Sequence, residues 1–198
     1  MDVQPIVMEN AVVRLEPLAG RHRNELEVAA NADQEIWQTA YPYSAAGAHF
    51  AKYWGRLESD SRTGARMPFA VLVDRVCVGI TVYSSIDPEN RSLEIGGTYY
   101  RPDQRGTGMN TAAKYEMLQH AFGSGANRVQ FRVDAVNGRS CAALEKLGAV
   151  REGILREDRI VWTGRVRNTV IFSILHSEWP AIGARLVGQM QARHRQGR

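Results

Sequence analysis

The sequence predicts an α/β protein in which helices flank one mixed, mostly antiparallel sheet. Three short strand-like segments in the first half, the second of which alternates apolar and polar residues, predict an antiparallel meander. A strand, a glycine loop, a helix and another strand then follow in order, and a helical crossover of this kind joins parallel strands. Because no repeat, low-complexity stretch or Pro/Ser-rich linker interrupts the 198 residues, we expect a single domain over residues 1–198.

Composition excludes several classes of protein. Hydrophobic residues make up 44% and charged residues 23%, which is typical of a globular chain and too apolar for disorder. No apolar run approaches the roughly 18 residues of a membrane span, and residues 1–5 do not resemble a secretory signal. Two cysteines, Cys77 and Cys141, cannot form a disulfide framework, so we expect a cytoplasmic protein. The net charge of +4 suits an anionic ligand as well as nucleic acid.

The first half of the chain contains the meander and two helices. We predict a strand at 12–17, a helix around Leu26 and Ala30, an aromatic loop at 37–43, and a helix with one apolar stripe. That stripe consists of Phe50, Tyr53, Trp54 and Leu57. Strands at 69–73, 76–84 and 93–100 form the meander, and the strict alternation of the second strand places one apolar face on Val76, Val78, Ile80 and Val82.

The second half alternates helices and strands. After a loop at 102–107 we predict a helix at 110–122, a strand at 129–133 and a short helix at 140–147. A hairpin across Thr163-Gly164, a strand at 170–175 and a helix from about Glu178 complete the chain. Residues from about 185 to 198 form a basic helix end and tail.

The most informative segment is 98–111, where a strand enters a glycine-containing loop that opens into a helix. Unpaired N–H groups and the dipole at such a helix start favour an anion, while Gly106 and Gly108 permit its close approach. Arg101 and Arg105 add positive charge, which indicates a pyrophosphate cradle; a simple tight turn is the alternative. The spacing fits neither a Walker A loop nor a dinucleotide fingerprint.

Residues 103–108, Asp-Gln-Arg-Gly-Thr-Gly, resemble the acyl-coenzyme A pyrophosphate loop of the GNAT N-acetyltransferase superfamily. Residues 137–149 are similar to that family's second coenzyme-binding segment, and 94–96, 105–111 and 170–174 resemble its RimJ/RimL-type branch, named for N-terminal acetylation of ribosomal proteins. The resemblance extends over about residues 10–180. Asp103 departs from the usual motif, which has Gln or Arg at that position.

The resemblance implies a GNAT-type fold with a splayed central pair of parallel strands, and acetyl-CoA as cofactor without a metal. The implied cofactor-binding residues lie on the strand end, the loop and the second segment: Thr98, Tyr99, Arg101, Arg105, Gly106, Thr107, Gly108, Met109, Asn110, Asn137 and Ser140. Independently, the pair Gly96-Gly97 inside a strand predicts a bulge, which would free backbone N–H groups to hold pantetheine and polarise the thioester carbonyl.

Acetyl transfer to an amine needs a base, and Glu94 is the candidate because it shares a predicted strand face with Gly96, Thr98 and Tyr100 and is flanked by apolar residues. The alternative is an exposed carboxylate paired with an arginine such as Arg91.

Ser140 is the candidate acid, or else only a helix N-cap. Of Tyr99 and Tyr100, alternation places one in the core and lets the other face the cofactor.

Trp37, Tyr41 and Tyr43 are candidates for an aromatic substrate wall, although packing is an equally good interpretation. Both cysteines are interpreted as structural, and the five histidines lack metal-ligand spacing.

The function predicted first is direct acetyl transfer from acetyl-CoA to a primary amine, either a protein N-terminus or a small molecule such as an amino acid, polyamine or antibiotic. A non-catalytic acyl-CoA-binding or sensing module is the alternative, and a basic nucleic-acid-binding domain ranks last. A homodimer is plausible by family analogy, and no membrane partner is expected.

Overall fold

A computed structural model describes residues 1–196 and contains eight strands in one sheet. The strands are β1 (Met8–Glu9), β2 (Arg14–Pro17), β3 (Arg66–Val73), β4 (Val76–Asp87), β5 (Ser92–Tyr100), β6 (Arg128–Asp134), β7 (Val150–Ile160) and β8 (Val166–Leu175). Their order across the sheet is β1-β2-β3-β4-β5-β6-β8-β7. The predicted meander is β3–β5, and the predicted hairpin is β7–β8 at the opposite edge from β1.

Six α-helices flank the sheet. They are α1 (Arg23–Asn31), α2 (Glu35–Thr39), α3 (Phe50–Thr63), α4 (Met109–Gly123), α5 (Gly138–Leu147) and α6 (Trp179–Gln196). The predicted stripe of α3 is buried at all four positions, and α3 ends at Gly64, which adopts the left-handed conformation common after helices. Glycine likewise ends α5, where Gly148 has φ +99°.

The central strand pair is parallel and splayed, which confirms the predicted fold class. β5 pairs with β6 only through Ser92–Glu94, and every other neighbouring pair in the sheet is antiparallel. The last pair is Glu94 with Gln130, and beyond it the two strands separate. The backbone of β5 from Ile95 onward therefore has no strand partner on the β6 side, and a cleft opens there.

Two apolar layers hold the helices on opposite faces of the sheet. One layer packs α4 and α6 against β4–β6 and β8 and includes the fully buried Met117, Leu118 and Phe172. The other packs α1–α3 against β3–β5 and includes Leu26, Trp37 and Tyr99. Because α1–α3 cover only the first half of the sheet, that face of β6–β8 stays uncovered and borders the cleft.

The structure changes three of the predicted elements. Residues 37–43 are not all loop, because Trp37 lies in α2 and only the residues after Thr39 leave the helix. The predicted basic tail is helical as far as the structure describes it, since α6 continues to Gln196; Gly197 and Arg198 lie outside the described residues. The alternation at 76–82 breaks because Val78 is an extra residue in a bulge, which puts Val78 and Ile80 in different apolar layers.

Candidate functional site

The cleft between β5 and β6 is about 1000 Å³ in volume and brings together most of the predicted site residues. Its walls come from the end of β5, the loop before α4, the start of α5, the aromatic loop after α2 and the uncovered face of β6–β8. From the predicted set it is lined by Tyr41, Tyr43, Glu94, Thr98, Arg105, Gly106, Asn110, Asn137 and Ser140.

The loop before α4 has the geometry of an anion cradle. Gly106 and Gly108 have φ of +80° and +98°, a backbone conformation that few other residues adopt. Gly108 is the N-cap of α4, and within residues 1–196 no group accepts a hydrogen bond from the N–H of Gly106, Thr107 or Gly108. The Thr107 hydroxyl donates to the Gln104 carbonyl and so closes the turn. The loop therefore presents several free amide donors beside a helix N-terminus.

The two arginines predicted to bind phosphate, Arg101 and Arg105, each pair with a carboxylate of the protein. Arg101 donates twice to Asp103, at 2.7 Å each, so the unusual Asp103 neutralises it. Arg105 forms an ion pair with Asp33 and donates from Nε to the Tyr100 carbonyl. Its Nη2 is buried without a hydrogen-bond partner among the described side chains.

A residue that sequence analysis missed, Arg193 in the last turns of α6, lies over the loop. The Nη1 of Arg193 is 3.4 Å from the Gly106 carbonyl oxygen. A Cβ added to Gly108 would lie 2.7 Å from this Nη1. The sequence predicts only a basic helix end and tail for this part of the chain, and no local pattern places Arg193 over the loop.

The second predicted cofactor-binding segment, residues 137–149, contains α5 and the residue that precedes it. Asn137 is the N-cap, because its Oδ1 accepts a hydrogen bond from the Ser140 backbone N–H at 3.1 Å. Interpreting Ser140 as the N-cap is therefore wrong. The half-buried Ser140 hydroxyl has no hydrogen-bond partner in the described part of the chain and lines the cleft.

The predicted bulge in β5 is present and changes which residues share a face. Ile80 pairs with Tyr99 but Val82 pairs with Gly96, so Gly97 and Thr98 together face one residue of β4, and Gly97 has φ +57°. Leu93 and Ile95 before the bulge and Tyr100 after it lie in the same apolar layer. Glu94 therefore shares its face with Gly96 but not with Thr98 and Tyr100, contrary to the strict alternation assumed above.

Beneath the bulge lies a buried lysine that was predicted only as part of a helix. Lys114 of α4 is 5% exposed and donates to the hydroxyls of Thr98 at 2.7 Å and Thr81 at 3.2 Å. Those hydroxyls are 2.9 Å apart, so three polar side chains form one network under the irregular part of β5. Burial lowers the pKa of Lys114 to about 7.

Glu94 is half-buried in the cleft, near the point where β5 and β6 separate. Burial raises its pKa, and the positive charges of Arg132, Arg159, Arg66 and Arg167 partly offset that increase. The alternative of an ion pair with Arg91 is wrong, because the Arg91 guanidinium donates to the Gly125 carbonyl, and Glu94 forms no ion pair with any described side chain.

The aromatic predictions divide into core and cleft. Trp37 is 1% exposed, stacks on Tyr99 with ring centroids 4.5 Å apart, and does not line the cleft, so its prediction as a substrate residue is wrong. Tyr99 donates its hydroxyl to the Ala29 carbonyl and points into the layer under α1, so its side chain does not line the cleft. Tyr100 is also buried, so both tyrosines lie in a core, but Tyr100 does line the cleft.

Tyr41 and Tyr43 line the cleft beside the bulge. The Tyr41 hydroxyl donates to the Thr98 carbonyl, and the Tyr43 hydroxyl lies 3.4 Å from a Cβ built on Gly97. Across from them Trp162, in the turn between β7 and β8, donates its indole N–H to the Trp37 carbonyl at 2.8 Å. This contact joins the turn between β7 and β8 to α2.

Neither cysteine lies in a position to react. Cys77 is buried with its pKa raised to about 11 by burial, and burial also raises the pKa of Cys141. Across residues 1–196, no three His, Cys, Asp or Glu side chains are grouped to hold a metal ion. None of the helices described is long and apolar enough to cross a membrane.

The residues of the cleft fit acetyl-CoA. Free amides and glycines without side chains suit a diphosphate, and Arg193 supplies a positive charge beside them. Beyond Glu94 the backbone of β5 has no strand partner on the β6 side and is open to an extended pantetheine chain, except at the Thr98 and Tyr100 carbonyls, which already accept hydrogen bonds. The buried Nη2 of Arg105 and hydroxyl of Tyr100 are polar atoms without partners near this path.

Comparisons with known proteins agree with this fit. The family model described as an acetyltransferase (GNAT) domain matches residues 13–150. The uncharacterized N-acetyltransferase p20 of Bacillus licheniformis is 29% identical over 122 residues, which cover 60% of this chain and 67% of that protein. A crystal structure of a GCN5-related N-acetyltransferase from Brucella melitensis is 31% identical, with a TM-score of 0.85 over 93% of this chain and 85% of that one.

The RimJ/RimL-type proteins are more distant. Mycobacterium smegmatis RimJ, solved in complex with CoA-disulfide, is 26% identical with a TM-score of 0.78, and the match covers 94% of this chain and 93% of that one. RimL, an α-N-protein acetyltransferase of ribosomal L7/L12, is 13% identical with a TM-score of 0.75 over 85% and 97% of the chains, a likeness of fold alone.

Proposed function

Because the chain belongs to the GNAT acetyltransferase family, we propose that it is an acetyl-CoA-dependent N-acetyltransferase that moves the acetyl group directly to a primary amine. One observation carries the proposal: the amide cradle and the buried carboxylate of Glu94 open into the same cleft, on either side of the bulge in β5. A cradle without a base would only bind the cofactor.

The proposed cofactor site runs from the loop to the bulge. The N–H groups of Gly106, Thr107 and Gly108 hold the diphosphate with Met109 and Asn110 at the start of α4, and Arg193 adds its charge. Arg101 and Arg105 contribute less than predicted, because carboxylates already pair with them. Of the two predicted residues at the end of β5, Thr98 lines the cleft and Tyr99 does not. We propose that pantetheine passes Thr98, with Asn137 and Ser140 on its other side.

Glu94 is the proposed general base. An amine with a pKa of about 8 to 10 is protonated at neutral pH, so a proton must leave before nitrogen attacks the thioester carbonyl. Glu94 accepts this proton directly or through water, the C–N bond forms, and the C–S bond breaks. We propose that the Ser140 hydroxyl passes the second proton of the attacking nitrogen to the departing thiolate, so that the products are the amide, the CoA thiol and protonated Glu94.

We propose the RimJ/RimL-type branch as the nearest functional class, supported by motif and fold rather than by close identity. The acceptor is then a protein N-terminus or a small amine. A non-catalytic acyl-CoA-binding module remains the second candidate. It predicts cofactor binding that Glu94→Gln leaves intact and no thiol release with any amine.

A calorimetric titration of acetyl-CoA tests the cofactor. We expect micromolar or tighter binding to the wild type and loss of binding in Gly108→Trp, whose side chain fills the cradle, while Gly153→Trp on exposed β7 binds normally. Circular dichroism checks that both variants fold. Absence of binding to the wild type would contradict the whole assignment.

We also propose a cytoplasmic homodimer. Nearly all of β7 is exposed at the edge of the sheet, including Ile154, Leu155 and Ile160, and an exposed apolar edge strand readily pairs with another chain. Both cysteines are free thiols, as in a reducing compartment. Light scattering of the wild type and of Ile154→Lys gives the mass; a monomeric wild type would refute the dimer.

A further inference from the structure

Three arginines converge on the uncovered face of β6–β8, and we name Arg132, Arg159 and Arg167 the arginine cluster. Arg159 and Arg167 are direct partners in the antiparallel ladder of β7 and β8, so their side chains leave the sheet on the same face. Arg132 of β6 pairs with Ile171 of β8, which is four residues after Arg167 and so lies on the same face of the sheet. All three line the cleft that contains Glu94.

This arrangement is unfavourable for the fold alone. Like charges directly opposite each other in a ladder destabilise a sheet. Burial is the main cause that lowers the pKa of Arg167. The charges of Arg159 and Arg132 lower it further, while those of Asp134 and Asp158 act in the opposite direction. A pair of apolar or oppositely charged residues at these positions would hold the two strands together better.

Two carboxylates compensate the arginine cluster only in part. Asp158 accepts hydrogen bonds from Arg132 at 2.8 Å and from Arg159 at 3.1 Å. Asp134 forms an ion pair with Arg165, which lies outside the cleft lining, and is 3.9 Å from Arg167. Positive charge therefore remains in excess on this wall.

Arg167 is the least satisfied member. It is 4% exposed, and its Nε donates to the Thr169 hydroxyl at 2.9 Å. Its two terminal nitrogens form no hydrogen bond with any side chain or carbonyl that the structure describes, although the residue borders the cleft. Because these nitrogens are not among the buried polar atoms that lack a partner, they are open to the cleft, and the planar fork of a guanidinium matches a carboxylate or phosphate.

We propose that the arginine cluster binds an anionic group of the acceptor, so that the substrate is an amine that also carries a carboxylate or phosphate. This inference rests on the proposed amine acetylation and narrows its substrate class. It favours amino acids and aminoalkyl phosphates and disfavours polyamines and polycationic antibiotics, which the cluster repels. The anion anchors the acceptor beside Glu94, which faces the same cleft.

Matched acceptors test the proposal by acetyl-CoA-dependent thiol release. The twenty amino acids are compared with their carboxamides, O-phosphoethanolamine with ethanolamine, and spermidine serves as the polycation, with each rate corrected for the fraction of unprotonated amine. We expect kcat/KM for at least one anionic acceptor to exceed that of its neutral partner by about tenfold to a hundredfold, the effect of a hydrogen-bonded charge. The two series distinguish a carboxylate from a phosphate.

Variants assign the preference to the cluster. Arg167→Gln should bring the two members of the preferred pair to about equal kcat/KM, whereas Arg62→Gln, on the exposed face of α3, should leave the preference unchanged. If Arg167→Gln does not fold, Arg159→Gln replaces it, because that side chain is 43% exposed and faces the same anion. Equal use of neutral amines or spermidine by the wild type would overturn the proposal.

A direct binding measurement separates this proposal from the proposed function. O-phosphoethanolamine and glutamate are titrated calorimetrically into CoA-saturated wild type and Arg167→Gln, since CoA occupies the phosphate loop. Binding that depends on Arg167 without acetylation of any amine would leave the anion site standing and refute acetyl transfer. Absence of Arg167-dependent binding, together with acetylation of neutral amines, would refute the anion site and leave acetyl transfer standing.

Discussion

Glu94 illustrates how two opposing influences set the chemistry of one residue. Burial in the cleft raises its pKa, while the surrounding guanidinium groups lower it. A base must be deprotonated to act and is strongest when its pKa is high, so the net rise in the pKa of Glu94 makes it a stronger base than an exposed carboxylate.

We predict that Glu94→Gln lowers turnover by about a hundredfold or more and leaves acetyl-CoA affinity unchanged, because only proton removal is lost. In the wild type, kcat/KM should fall as pH drops through a pKa above the usual 4.5. Arg159→Gln removes one lowering charge, so this acid limb should move to higher pH. Stopped-assay pH profiles of the three proteins check both effects; unchanged turnover in Glu94→Gln would remove Glu94 from the mechanism.

Lys114 makes a prediction about stability. Its pKa is about 10.4 in an unfolded chain and about 7 in the folded protein, so between these pH values only the unfolded chain binds the proton. Stability contributed by this residue therefore rises with pH across that window.

Relative to Lys114→Met, the free energy of unfolding of the wild type should rise by about 1 kcal/mol per pH unit between pH 7.5 and 9.5. Urea unfolding at both pH values measures the difference. Lys52→Met, which removes an exposed lysine of α3, should follow the wild type; parallel curves for Lys114→Met would show that Lys114 is not buried as described.

At the scale of elements, the start of α5 assigns different roles to two neighbouring polar residues. Asn137 caps the helix through its side chain, whereas Ser140 takes part through its backbone N–H, which any residue supplies. Substituting Asn137 therefore tests the helix cap, and substituting Ser140 tests the role of its hydroxyl in acetyl transfer.

Asn137→Ala should cost about 1 kcal/mol of stability through loss of the cap. Ser140→Ala keeps the amide donor, so its stability should stay close to that of the wild type while its turnover falls if the hydroxyl returns a proton to the thiolate. Denaturant unfolding and steady-state assays of both variants decide this. Equal destabilisation by the two changes would contradict the assignment of the cap.

For the molecule as a whole, the C-terminal helix completes a site whose other parts lie in the middle of the chain. We predict that Arg193→Gln weakens acetyl-CoA binding by about threefold to fivefold at low ionic strength, as expected for an exposed charge pair. The difference should shrink at high salt, where such charges are screened. Calorimetry at two salt concentrations tests this, with Arg62→Gln as control; a difference independent of salt would argue against a charge effect.

Much of the fold followed from the sequence because it depends on local patterns. The stripe of α3, the glycine that ends α5 and the glycine pair in β5 each act through near neighbours in the chain. The hairpin across Thr163-Gly164 was predicted and is confirmed, but the bounds of its first strand, β7, were not, because nearly all its side chains are exposed and no apolar alternation marks it.

The site was predictable only in part for the same reason. The loop before α4 is contiguous and was identified, whereas the Arg159–Arg167 pairing depends on the register of two strands and Arg193 on the docking of α6. Trp37 was misassigned because an aromatic cluster reads alike whether it lines a cleft or fills a core.

The bulge at Gly97 has a further consequence during synthesis of the chain. Until α4 and β6 have been made, β5 is the outer strand of a sheet formed by β1–β5, and a long regular outer strand invites pairing with other nascent chains. The extra residue and positive φ at Gly97 interrupt the row of backbone donors and acceptors in the middle of that strand. The bulge that borders the cleft in the folded protein therefore also disfavours aggregation of the partly synthesised sheet.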